Sequence, residues 1–132
     1  MVEDVEHHGD LFAGVAYDYT SVVTPGSIVF TAGACPLDES GVVVGPNDPI
    51  AQADQCIRNL VQALAGAGAT LEDVVRTTIY VVGDREELVT VWDAIAERLS
   101  PHRPPSTLLG VRALGYPHQL VEIDAVAALS AD

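Results

Sequence analysis

The stretch DPIAQADQCIRNLVQALAGAG, from Asp48 to Gly68, decides how the rest of the chain is read. Its apolar residues Ile50, Ala53, Ile57, Leu60, Val61 and Leu64 recur at the spacing of one helix face. Asp48 stands where a side chain caps a first turn, Pro49 fits a position whose N–H needs no partner, and Gly66 and Gly68 end the run. Downstream, Val74 to Val82 is β-branched and strand-like, with Val75, Thr77, Ile79 and Val81 on one face and Val74, Arg76, Thr78 and Tyr80 on the other. Asp84 with Glu87 forms a capping-box-like start to a second helix, whose stripe is Leu88, Val91, Trp92, Ile95 and Leu99. Pro101, Pro104 and Pro105 break that helix. Two closing strands, Thr107 to Val111 and Leu120 to Ala128, are separated by a Gly115-Tyr116-Pro117 turn.

Upstream, Pro25-Gly26 makes a turn and Ile28 to Ala34 suits a short buried strand, followed by a loop from Asp38 to Asp48. Residues 1 to 10 are polar and aperiodic and read as a loose arm. The order of strands, helix, strand, helix and strands predicts an α+β domain with two helices on one face of a mixed sheet. The expected division is an N-terminal arm over 1–16 and a single domain over 17–132.

A chain of 132 residues supports one core, and 48% hydrophobic residues with mean hydropathy +0.26 exceed what a domain of this size readily hides. The excess points to a buried subunit interface. No run of eighteen apolar residues is present to span a bilayer, and the acidic first ten residues do not resemble a signal peptide, so the protein is expected to be cytoplasmic with no membrane partner. Cys35 and Cys56 are too few for a disulfide framework or a metal knuckle and read as reduced, packed thiols. The formal charge of −13 comes from nineteen acids against six arginines, with no lysine. Such a surface repels phosphate backbones, so no nucleic acid is expected as partner. Without lysine there is no Schiff-base chemistry, no pyridoxal phosphate aldimine and no Walker-type phosphate loop, and no cofactor is expected.

Ala51-Gln52, Gln55, Asn59, Leu64 and Ala67-Gly68 along the first helix resemble the AQxxQxxxN...L..AG signature of RidA/YjgF proteins. Gly26 with Ile28 to Gly33 is similar to that family's GdxvfvSGq strand, Asp73 to Tyr80 to its dVvktTvY strand, Pro104 to Val111 to its PARsxvxV strand, and Leu120 to Ala127 to its lvEIeaiA strand. Residues 1 to 16 lie outside the resemblance. It implies a chorismate-mutase-like homotrimer with a cleft at each subunit junction that binds small carboxylates. In the deaminating members an arginine of the PAR motif grips the substrate carboxylate. A backbone group at the next residue and a glutamate on the last strand manage a water, and an imine is hydrolysed to a 2-oxo acid and ammonia. Deamination of 2-aminoacrylate in this way relieves damage to pyridoxal phosphate enzymes.

Carried over by residue, Glu122 matches the last-strand glutamate and is the catalytic candidate, Gly33 matches the strand glycine, and Tyr19 the cleft tyrosine. Ser106 stands where the PAR arginine belongs, Trp92 where an asparagine is usual, and Ala34 where SGQ has its glutamine. Ser106 is thus either the cleft's polar contact, beside Thr107, or a plain strand serine without a His-Asp pair to activate it. Glu122 shares a strand face with Leu120, Asp124 and Val126 and reads equally as a cleft or a solvated carboxylate. Trp92 lies on the apolar stripe and reads first as core. Arg103 and Arg112 are the cations nearest Ser106 in sequence, ordinarily surface residues, though Arg103 can swing in. Tyr116 and Tyr19 flank turns and can cap a pocket. Glu6, His7, His8 and Asp10 look like a metal cluster but read as a polar arm, and no metal site is expected.

Three functions follow. The first is an imine or enamine hydrolase of altered specificity, with weak or absent 2-aminoacrylate deaminase activity. The second is a non-catalytic ligand-binding or regulatory trimer. A chorismate mutase ranks last, because Arg103 and Arg112 are too few for two carboxylates and a developing charge.

Overall fold

Asp48 caps the first long helix as its position requires, its carboxylate accepting the Ala51 N–H at 3.0 Å. The structure, a computed structural model, describes residues 2–4, 10–24 and 26–131. Its elements are β1 (Val2–Asp4), β2 (Ser21–Val23), β3 (Ile28–Phe30), α1 (Pro49–Gly66), β4 (Val74–Val81), α2 (Arg85–Leu99), β5 (Ser106–Gly110) and β6 (Val121–Ala128). Asp84 and Glu87 form the reciprocal capping box that opens α2. β1 pairs antiparallel with β2, so Val2 to Asp4 form part of a two-stranded ribbon rather than a loose arm. The main sheet runs β3-β6-β4-β5, with β4 and β5 parallel and the other pairs antiparallel. It is the mixed sheet of an α+β fold, and both helices lie on one face. Ile57, Leu60 and Leu64 of α1 and Val91, Ile95 and Leu99 of α2 close over Ile79, Val81, Val121 and Ile123.

Three expectations need correction. Ile50 and Val61 are 43% and 40% exposed, because the buried stripe of α1 is narrower than its apolar spacing. The segment from Ile28 to Ala34 is not a buried strand throughout. Only three residues are regular strand, and Ile28 and Phe30 are exposed, since β3 is an edge strand whose outer face meets no helix. The faces of β4 change at its start. Val74 opposes Ala127 while Arg76 opposes Val126, so Val75 is the extra residue of a β-bulge. The bulge sends Val74 into the helix-covered core and leaves Val75 beside Ser21, whose hydroxyl donates to the Val75 carbonyl at 2.8 Å.

Gln52 ties the helix layer to the loops that flank the sheet. Fully buried on α1, it donates from Nε2 to the carbonyls of Gly45 and His118, both at 2.9 Å, and accepts the Leu120 N–H at 2.6 Å. Gln52→Leu removes all three bonds while keeping the volume. Each buried polar group left unpaired costs about 1–3 kcal/mol, so the variant should lose about 3 kcal/mol in urea unfolding with an unchanged m-value.

Candidate functional site

Alternation along β6 puts Val121 and Ile123 in the core and Glu122 on the opposite, open face of the sheet, across from Tyr80. The chain after β3 returns to this point. Ala34 and Ile123 exchange backbone hydrogen bonds at 2.7 and 3.1 Å, which sets Gly33 and Cys35 on either side of Glu122. Asn59 of α1 fastens the same segment by donating to the Cys35 and Leu37 carbonyls at 2.8 and 2.9 Å, and Gln55 adds a bond to Leu37 at 3.2 Å. The polar residues of the helix signature therefore act on the loop beside Glu122.

One carboxylate oxygen, Oε1, accepts from both Cys35 Sγ and Gln119 Nε2 at 3.2 Å. The other oxygen lies over Gly33, where a Cβ would come within 2.2 Å of it. Any larger residue here would displace the Glu122 side chain, so glycine suits this position by close approach, not by backbone angle. Burial, followed by the bond to Glu122, pushes the Cys35 thiol up to about 11. The Tyr80 hydroxyl donates to Asp124 at 2.9 Å, and that bond raises its pKa above the usual tyrosine value. Tyr116 is exposed, and its backbone N–H donates at 3.2 Å to the Gln119 that holds Glu122.

A second group of residues gathers at β5, the other edge of the sheet. Tyr17, Trp92, Ser106, Thr107 and Leu108 line a cavity of about 400 Å³. Trp92 is half-buried, and it packs on the core as well as on this cavity. Tyr17 meets it edge-on at 5.9 Å and meets Tyr19 at 5.5 Å. Ser106 Oγ accepts from Thr77 at 2.6 Å and donates to the Pro104 carbonyl at 2.9 Å. Thr107 Oγ1 accepts from Arg76 at 3.0 Å. Arg103 does not swing toward Ser106. Its guanidinium donates to the carbonyls of Val15 and Tyr17, and its own carbonyl accepts the Asp18 N–H, so it pins the segment that carries Tyr17. The Tyr19 hydroxyl donates to the Phe12 carbonyl at 2.6 Å.

These two groups do not meet within one protomer. Ser106 pairs with Thr77 and Glu122 with Tyr80, with β4 standing between β5 and β6. Three residues along the strand and two strand spacings across put their backbones roughly 14 Å apart. A small carboxylate cannot span that gap. A concavity of about 750 Å³ is lined by Leu37, Gln55, Asn59 and Gln62, and includes neither Glu122 nor any residue of the β5 group. Glu6, His7 and His8 lie outside the described residues, among which no group of three metal-ligating side chains occurs. No helix of the described residues is long and apolar enough to cross a membrane.

Residues 13–129 match the Endoribonuclease L-PSP family. The chain belongs to this family, the RidA/YjgF proteins. It is similar to the 3-aminoacrylate deaminase RutC of Acinetobacter baylyi, 30% identical over 83% of this chain and 85% of that protein. The Rid family protein YyfB of Yersinia pestis superposes with a TM-score of 0.85 at 28% identity, covering 97% of this chain and 98% of that one. TdcF of E. coli, solved with bound serine, gives a TM-score of 0.70 at 25% identity over 86% and 88%. The RidA/YjgF fold is thus shared across the chain.

Of the residues singled out in the sequence, Trp92, Ser106 and Thr107 come together at β5, and Gly33 and Glu122 at β6. Tyr17, Cys35, Gln119 and Arg76 emerge only from the structure. Cys35 and Gln119 lie within three residues of Gly33 and Glu122, the one signal that could have drawn attention to them. The Glu122 cluster predicts how Cys35 reacts. In the wild type its alkylation by iodoacetamide should rise with pH through a midpoint near 11. Glu122→Gln removes a neighbour that raises the thiol pKa, and Gly33→Ala displaces it. Both should bring that midpoint to lower pH and speed alkylation at pH 8 several-fold.

Proposed function

We propose that this protein binds a small enamine, imine or related carboxylate metabolite between subunits of a homotrimer and hydrolyses it, with weak or absent activity on 2-aminoacrylate. The observation that carries this reading is the state of Glu122. With Oε1 engaged by two donors, Oε2 is left as the acceptor over Gly33. In the proposed reaction it takes a proton from water as the oxygen adds to the C=N carbon and passes it to the nitrogen, then carries the proton of the resulting hydroxyl to the same nitrogen as the C–N bond breaks, ammonia leaves and the carbonyl forms. The distance between the half-sites supports assembly, since the β5 group of one subunit needs the Glu122 of another. The deaminase activity named for the RutC relative and the serine bound by TdcF support a small amino-acid-like ligand. A cytoplasmic location, no cofactor and no nucleic-acid partner complete the reading, with 1–16 an arm on the 17–132 domain. A non-catalytic binding trimer is favoured by one fact, that Ser106 is already bonded to Thr77 and Pro104.

Carboxylate recognition is strongest through a guanidinium fork, and each charge-assisted bond contributes about 1.5–3 kcal/mol. Lack of the PAR arginine should therefore lower kcat/KM on 2-aminoacrylate about a hundredfold relative to a RidA enzyme that has it. Ser106→Arg should recover part of this, and more with Trp92→Asn beside it. Ammonia release from 2-aminoacrylate generated by a coupled pyridoxal enzyme checks both. A wild type matching the arginine-bearing enzyme would sink the reading of Ser106.

Assembly has its own signature. Three chains of −13 each repel one another, and the screening length falls from about 30 Å at 0.01 M salt to about 8 Å at 0.15 M. Sedimentation should show the trimer tightening as salt is added, and a monomer at micromolar concentration across that range would refute it.

A further inference from the structure

The β5 cavity differs in kind from the Glu122 cluster. Two aromatic rings, Tyr17 and Trp92, wall it together with Leu108 and the hydroxyl residues Ser106 and Thr107, and its volume of about 400 Å³ suits a small organic molecule. Among the described residues no charged side chain lines it. Arg103 is occupied by the carbonyls of Val15 and Tyr17. Arg76 reaches Thr107 from the open face of β4, whereas Ser106 bonds to Thr77, which alternation turns to the helix-covered side. Trp92 and Leu108 pack against the core on that same side.

Every donor carried by these side chains is a neutral hydroxyl or the indole N–H, and Ser106 already gives its hydrogen to the Pro104 carbonyl. A carboxylate taken from water into such a wall meets no opposite charge, a costly condition. A chain of formal charge −13 also repels it at longer range. An uncharged ring incurs neither penalty. Tyr17 and Trp92 stand edge-on, 75° apart in plane and 5.9 Å between centroids, so a third ring in their corner meets one by its face and the other by its edge. The Tyr17 wall is fixed without a ligand, since the Arg103 carbonyl accepts the neighbouring Asp18 N–H at 2.8 Å, and binding has little left to order.

We propose that the β5 cavity takes an uncharged aromatic ring and that Trp92 and Tyr17 set this specificity. The inference rests on the cleft reading above and narrows its substrates to enamines or imines that carry such a ring, with the C=N carbon left for Glu122.

Trp92 is the only tryptophan of the chain, so a ¹⁵N-labelled sample of the full-length protein has a single indole N–H resonance. Benzamide should shift it. Benzoate, of the same shape but charged, should bind about tenfold more weakly, and most of that difference should persist at about 1 M salt, where the screening length is about 3 Å, because it arises from desolvation at contact. Acetamide, an amide without a ring, should leave the resonance in place. Trp92→Leu should weaken benzamide about tenfold, followed on the Thr107 and Leu108 amides. Tyr17→Leu, followed on the intact indole, should weaken it likewise and keeps the test decisive should Trp92→Leu unfold. Benzoate or acetamide binding as tightly as benzamide, or an indole resonance that benzamide does not move, overturns the ring assignment and leaves the hydrolase reading to be judged by ammonia release. Benzamide bound as described, with no imine hydrolysed, supports the ring site and overturns the hydrolase.

Discussion

The structure depends on one buried amide. Gln52 sits in the core-facing side of α1 with both ends of its side chain satisfied by backbone from the loop before the helix and from the approach to β6. An apolar residue of the same size would fill the space but leave those backbone groups unpaired, the more costly condition in a low-dielectric interior. Asn59 repeats the device two turns later, on the segment from Cys35 to Leu37. The helix therefore positions loops as well as covering a sheet. The loop beside Glu122 is held by Asn59 together with the Ala34–Ile123 backbone bonds.

Seen this way, the two edges of the main sheet have different tasks. The chain beyond β3 delivers Gly33 and Cys35 to Glu122, where small size and a weak donor are both needed. β5 presents hydroxyls to a cavity walled by aromatic rings. Among the described residues neither edge is extended by a further strand of the sheet. Each group is held by its own hydrogen bonds, Glu122 by Cys35 and Gln119, and Ser106 by Thr77 and the Pro104 carbonyl.

The helices were legible in the sequence because their caps are local: Asp48 with Ala51, and Asp84 with Glu87, bond within three residues. The α+β order and the signature on α1 were legible for the same reason. The bulge was not, since Val74 and Val75 are the same residue and periodicity cannot say which is extra. Ile50 and Val61 were misread because spacing reports an apolar face but not the width of what covers it. The resemblance pointed to Gly33, but its reason lies 89 positions away in a carboxylate oxygen. The partnership of Cys35 with Glu122, 87 residues apart, left no local trace at all. Arg103 was a nearby cation in sequence, and only its bonds to Val15 and Tyr17 show that it is already engaged.

That last contact bears on the order in which the molecule is made. Val15 and Tyr17 are translated before the guanidinium that fixes them, which stands 88 residues after Val15. At a synthesis rate of about 5–20 residues per second, the segment waits roughly 4 to 18 seconds for its anchor. The Tyr17 ring of the β5 cavity is thus made seconds before the residue that fixes it.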